Sequence, residues 1–392
     1  MHKRSLLLFA AFVFIFCHTG NAYAWQLNVP VKDSTVKDSA IQKVAGFLKK
    51  ITLGGVFQAR YTVSLNREVD VNGVHQPNAE EVVRNSFSLK RARLQVKAQV
   101  SDRFMAAVLV NLADFASDPK GKVLENAFIS YRWNDAINFT VGQFRPSFGL
   151  EDLYPVDIIQ SMDFSNQYYA FGNNGWQSFQ VGVSMFGSFN KERKVPMKYA
   201  LSVVNGNNRN QPADNDNGKL GTGRLEFGNM NKIAVGLNGG YGAVKRQSVY
   251  ALGVDVSGVI PLAPKWDLQL QTEYKQGNNH QYYYAIPDSL RKEPLSKYIM
   301  NGIYVLPNFR YKISYHKLTS IEFSMRYEYF NEDEKHDGNM RQTYIPMISL
   351  AFLKDYGGRV QLGMQIDQYN KDIPGTKTHN SNLMIVQVQC RL

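Results

Sequence analysis

The sequence predicts an all-β fold: a transmembrane antiparallel β-barrel of about 16 strands, with a long loop folded into the lumen. Three observations predict it. Apolar and polar residues alternate with period two over runs of about 9–15 residues, the length of tilted spanning strands. The connections between runs alternate between long polar loops and tight turns. Aromatic residues, 22 Tyr and 23 Phe, are plentiful enough for interfacial girdles, while no apolar run is long enough for a spanning helix.

Residues 1–24 read as a signal peptide. Lys3 and Arg4 give a positive start, Leu6–Phe16 an apolar core, and Ala22-Tyr23-Ala24 a small-x-small cleavage site. Removing Lys3 and Arg4 takes the net charge from +12 to +10. Only Cys390 survives cleavage, so no internal disulfide framework is expected. Residues 25–50 form a short periplasmic N-terminal segment in which Ile41, Val44, Ala45 and Leu48 recur at helical spacing. The barrel domain is expected over 51–392.

The first predicted strand, 51–64, sets Phe57, Ala59, Tyr61 and Val63 against Gln58, Arg60, Thr62 and Ser64. The second, 86–100, organises the chain. Leu94, Val96, Ala98 and Val100 share one face, with Lys90 and Ala92 on the same parity. Leu89, Arg91, Arg93, Gln95, Lys97 and Gln99 share the other. A cation on the lipid face costs about 2–4 kcal/mol near the midplane. Arg91, Arg93 and Lys97 are therefore expected inside, and Lys90 near the rim, snorkelling to the interface. Further strands follow almost without interruption. Trp266, Leu268, Leu270, Thr272 and Tyr274 alternate with five polar residues, an aromatic at each end of the apolar face. Residues 176–189 are expected to form one strand. The last, 382–392, alternates to the chain end, where it can close the sheet on the first strand. The sharpest turns are expected at Ser101-Asp102, Asn134–Ala136, Asn229–Asn231 and Asp355–Gly358.

The stretch from Ser86 to Leu150 resembles the phosphate-selective porin O and P family of Gram-negative outer membranes. The resemblance rests on SLKRARLQVKAQVSDRF, LADFA, ENAFISYRW and VGQFRPSFGLED, in that order. It implies a sixteen-strand homotrimeric barrel with a loop in the lumen. It also implies passive uptake of small anions such as phosphate or polyphosphate. Beyond residue 176 the likeness lies in strand rhythm.

The expected anion pathway on the lumen wall is Arg60, Arg91, Arg93 and Lys97. The longest excursion, Pro146–Gly175, is the expected constriction, with Arg145 at its entry and Tyr168 and Tyr169 along it; a surface loop is its alternative. The acidic stretch 331–339 reads as a solvated loop tip, and the Asp214–Gly218 stretch DNDNG as a turn. No histidine pair of the mature chain has metal-ligand spacing, and no nucleophile elbow or phosphate-cradling loop is present. Neither a metal nor another cofactor is expected, and the chain does not read as an enzyme. Basic residues are spread over strands, which argues against a nucleic-acid partner. The sequence reading is thus a porin of the cell outer membrane, in contact with lipid and lipopolysaccharide. The alternatives are an occluded barrel serving as a surface receptor and, further off, a barrel enzyme.

Overall fold

The computed structural model describes residues 50–392 apart from 212, 337, 354 and 355. The signal peptide, the amphipathic stretch before residue 50 and part of the last predicted turn lie outside the described residues. Sixteen strands form one closed antiparallel barrel, each paired with its neighbours in sequence. They are β1 (Ile51–Ser64), β2 (Asn85–Gln99), β3 (Phe104–Asn111), β4 (Leu124–Arg132), β5 (Asn138–Phe144), β6 (Gln180–Phe189), β7 (Met197–Val204) and β8 (Leu220–Asn229). β9 (Ile233–Val244), β10 (Gln247–Ala263), β11 (Trp266–Asn278), β12 (Ile299–Tyr315), β13 (Leu318–Asn331), β14 (Met340–Phe352), β15 (Gly358–Tyr369) and β16 (Ser381–Arg391) complete the sheet. β16 pairs with β1 from Val56↔Arg391 to Ser64↔Leu383, which leaves no edge strand.

Alternation decides what faces out. Leu94, Val108, Ile129, Val141, Leu201, Leu237, Val254, Phe309, Phe323, Ile348, Leu362 and Val388 are large, apolar and exposed on successive parts of the wall. A belt of that extent exceeds the apolar patch a water-soluble surface carries, and it matches hydrocarbon. Aromatic pairs flank it. Tyr61–Phe87 and Tyr327–Tyr344 mark the end with long loops. Phe104–Tyr131, Phe189–Tyr199 and Trp266–Tyr311 mark the end with tight turns. One connection departs from the alternation. At the long-loop end β9 and β10 are joined through Lys245 and Arg246 alone, both at positive φ (47° and 68°), as a type I′ hairpin turn requires.

Two expectations need correction. β2 carries a bulge: Gln58 pairs with Arg91 but Ala59 with Leu89, so Lys90 is the extra residue. The bulge resets parity. Leu89 faces outward, and Lys90 does not snorkel to lipid; its Nζ lies 2.6 Å from Asp163 of the inner loop. The strand expected over 176–189 begins only at Gln180. Trp176 instead packs, fully buried, with Phe148 and Phe171, and Gln177 and Ser178 donate to Asp152.

Candidate functional site: the inner loop and the basic wall

The segment 145–179 joins β5 to β6 and contains the helix Asn166–Asn173, capped by Ser165, which accepts from the Tyr168 N–H. Its hydrogen bonds reach inward-facing side chains on eight strands. Gly149 N–H donates to Asn238 on β9, and Leu150 N–H to Glu273 on β11. Gly149 sits at φ +100°, and a Cβ there would collide with the Glu273 carboxylate, so only glycine allows this approach. Asn166 N–H donates to Glu328 on β13, and its side chain to Thr343 on β14. Arg326 on β13 donates to the carbonyls of Asp163 and Phe164, and Arg359 on β15 to that of Ile159. Gln389 on β16 donates to the Asp157 carbonyl. Apolar contacts add to this: Met162 packs with Ile345, Met347, Leu383 and Ile385 of the inner wall.

β1 and β2 supply the remaining anchor. Arg91 donates to Asp163 at 2.6 Å and to Gln58 at 2.7 Å. Arg60 lies 3.7 Å from the same carboxylate, and it donates to Gln387 and to the Met162 carbonyl. Lys90 and the Tyr169 hydroxyl complete the set on Asp163. Burial pushes the Asp163 carboxyl up, but Lys90, Arg91 and Arg60 outweigh it and hold it well below the usual carboxylate range. Burial pushes the nearby Glu151 carboxyl up, against Arg326, Lys275 and the donating Ser165 hydroxyl.

The expected pathway residues thus separate. Arg60 and Arg91 converge on one loop carboxylate. Arg93 donates to Glu125 at 2.6 Å, and Arg209 from the β7–β8 loop lies 3.5 Å from the same Glu125 oxygen. Lys97 is exposed near the tight-turn end and has no acidic partner among the described residues. Arg145 is not directed at open space: it donates to Asp152 and to the carbonyls of Glu151 and Tyr154, and it lies over the Phe164 and Tyr168 rings. Tyr168 is buried and stacked on Phe164, whereas Tyr169 is 44% exposed. The sequence reading placed Lys90 at the rim instead of the site, and it gave no site role to Lys122, Glu125, Asp163 or Arg209. A loop carboxylate on a wall with excess cations was the available signal for Asp163.

A cavity of about 550 Å³ lies between this loop and the β2–β4 side of the wall. Lys90, Arg91, Arg93, Lys122 and Arg209 line it, opposed by Asp114, Asp118 and Glu125, with Phe164, Tyr169 and Phe179 on the loop side. With Asp163 and Arg60 behind Lys90 and Arg91, six cations face four carboxylates, a small positive excess. No three or more His, Cys, Asp or Glu side chains among the described residues gather as a metal site.

The sequence profile of the phosphate-selective porin O and P family matches residues 62–247. No curated protein matches the chain. Among solved structures, the anion-selective porin of Comamonas acidovorans superposes with TM-score 0.55 at 10% identity, covering 87% of this chain and 99% of that one. The outer membrane channel DcaP of Acinetobacter baumannii gives 0.54 at 13% identity, over 87% and 97%. The trimer form of Vibrio cholerae OmpT gives 0.52 at 11% identity, over 87% and 99%. At these identities the likeness is one of fold.

Proposed function

We propose that this chain, whose residues 62–247 match the phosphate-selective porin O and P family, is an outer-membrane porin through which small anions, phosphate among them, diffuse down their gradients. The observation that carries the reading is the cavity with its five cations, opened between the inner loop and the wall of a barrel with an apolar belt. Cations at the wall lower the barrier for an anion, and binding stays weak enough for exit because Lys90, Arg91, Arg93 and Arg209 are each partly neutralised by a carboxylate. In this reading segment 146–175 constricts the lumen, and Lys97 meets the anion on the tight-turn side. The solved relatives include a trimer form and an anion-selective porin, which supports a homotrimer selecting anions here. Residues 1–24 direct export and are removed, and lipid and lipopolysaccharide surround the belt.

One observation favours a second reading. The inner loop is fastened to eight strands, as a barrel closed for a surface-binding role would require. Single-channel recording of the purified protein in planar bilayers separates the two. The porin reading expects discrete conductance steps and a zero-current potential of anion-selective sign in a salt gradient. A folded protein that never conducts would support the closed reading.

A further inference from the structure

Resting on the porin reading, the geometry points to a narrower solute class: the cavity is a subsite for a small organic acid bearing a ring and a hydroxyl or amino donor. A bare inorganic oxyanion fits it less well. Three features carry this. The place where cations converge most tightly is already filled. Arg60, Lys90 and Arg91 all reach Asp163, and Arg93 and Arg209 share Glu125, so no two free cations are left facing a single point. A phosphate ion needs several donors at once, and this cavity offers them one at a time.

The size and lining are the second feature. A volume of about 550 Å³ is that of a small-molecule site and far exceeds one inorganic oxyanion. Lys122 is exposed and has no acidic partner among the described residues, which leaves one ammonium free for a carboxylate. Asp114 and Asp118 lie on the same rim, where they repel a dianion but accept from a hydroxyl or amine.

The third feature is Tyr169. It is half exposed in the cavity wall, and its hydroxyl is held by Asp163 at 2.7 Å. A ring fixed in that way is a platform for a planar solute. Phe179, by contrast, is buried beneath the Arg145 and Arg209 guanidinium groups.

Calorimetric titration of the folded, detergent-solubilised protein tests this without requiring conduction. The probes are 4-hydroxybenzoate, acetate and inorganic phosphate. We expect 4-hydroxybenzoate to bind about tenfold more tightly than either other probe. Tyr169→Ala and Lys122→Ala should each erase most of that preference while heat-modifiable gel mobility still reports a closed barrel. Phosphate binding as tightly as 4-hydroxybenzoate overturns the inference, as does a preference unchanged in both variants. The porin reading is judged separately by chloride conductance in bilayers. A conducting protein without the preference sinks only the subsite. A preference without conductance keeps the subsite and sinks the porin.

Discussion

Asp163 shows how one side chain can decide what a wall of cations does. Its carboxylate gathers Arg60, Lys90, Arg91 and the Tyr169 hydroxyl. Asp163→Asn leaves three cations facing one neutral amide. Removing one partner of a buried pair costs about 3–5 kcal/mol. Here that cost falls on the loop, because the barrel closes without it. The expected result is a folded barrel whose zero-current potential moves toward stronger anion preference, with faster proteolysis within 145–179. The pH dependence has a definite sign. The folded value of Asp163 is depressed, so its contribution is present above the unfolded value near 3.9 and lost as pH falls through the folded one. Between about pH 5 and 8 the tether is constant by this account, and any conductance change there must survive in Asp163→Asn. Lys97 behaves differently, being exposed and without an acidic partner among the described residues. Lys97→Glu should fold normally and weaken anion preference severalfold in dilute salt, less in concentrated salt, as screening predicts. Arg91→Glu should instead impair folding yield, since it sets a second carboxylate against Asp163.

At the scale of elements, β2 and the inner loop were legible to different degrees. Strand number, closure of β16 on β1 and the inward parity of Arg60, Arg91, Arg93 and Lys97 follow from period-two alternation, and the structure has them. The bulge at Lys90 does not follow from it. A bulge inserts one residue without disturbing composition, so the pattern reads the same with Lys90 outside or inside until the partner strand is known. The start of β6 was misplaced for a related reason. Trp176–Phe179 is apolar enough to continue a strand, but Trp176 finds its burial against loop residues instead. The charge pairing of the wall was illegible because Glu125 on β4 meets Arg93 across the intervening β3, and Asp163 meets β1 and β2 only through the inward fold of its loop. These distinctions can be tested on β2. Leu94 faces outward in mid-strand, so Leu94→Lys should cost about 2–4 kcal/mol in reversible unfolding. Lys90→Leu, one parity away by sequence but inward by structure, should insert normally and alter selectivity. Deleting 156–172 from the inner loop should raise unitary conductance with the barrel intact, and unchanged conductance in a folded deletion would show that the loop does not set the constriction.

The whole molecule is lopsided inside, and that asymmetry makes a prediction that no single residue makes. On β11 to β16 the inward side chains at the level of the inner loop are excluded from water: Glu273, Tyr304, Asn308, Glu322, Thr343, Ser349, Arg359, Gln361 and Gln387 are all buried. They bond to one another and to the inner loop, as Gln387 to Gln361 and Arg359 to Ile159 do. Asn308 donates to Gln269 and Glu322, and Arg359 to Glu322 as well as to the loop, and side chains packed and paired in this way form a stiff wall. On β2 the inward side chains become progressively more open toward the tight-turn end: Arg91 is buried, Arg93 and Gln95 half-buried, Lys97 and Gln99 exposed. The cavity of about 550 Å³ opens on this same side. The porin reading therefore expects a solute entering from the long-loop end to pass along β2, by Arg93 and Lys97, and not along the β11–β16 side. Single cysteines in a Cys390→Ser background read this directly, with Cys17 expected to leave with the signal peptide. With a charged thiosulfonate in the bath, Lys122→Cys in the cavity and Gln95→Cys below it should react within seconds and cut the current. Gln361→Cys should react at least about 100-fold more slowly and leave the current unchanged, because reagent reaches it only when the inner loop opens, and opening is penalised by the network's pairing energy. Equal reaction rates at both sides would show that solutes pass along the β11–β16 wall too, and that the inner loop is detached in the membrane.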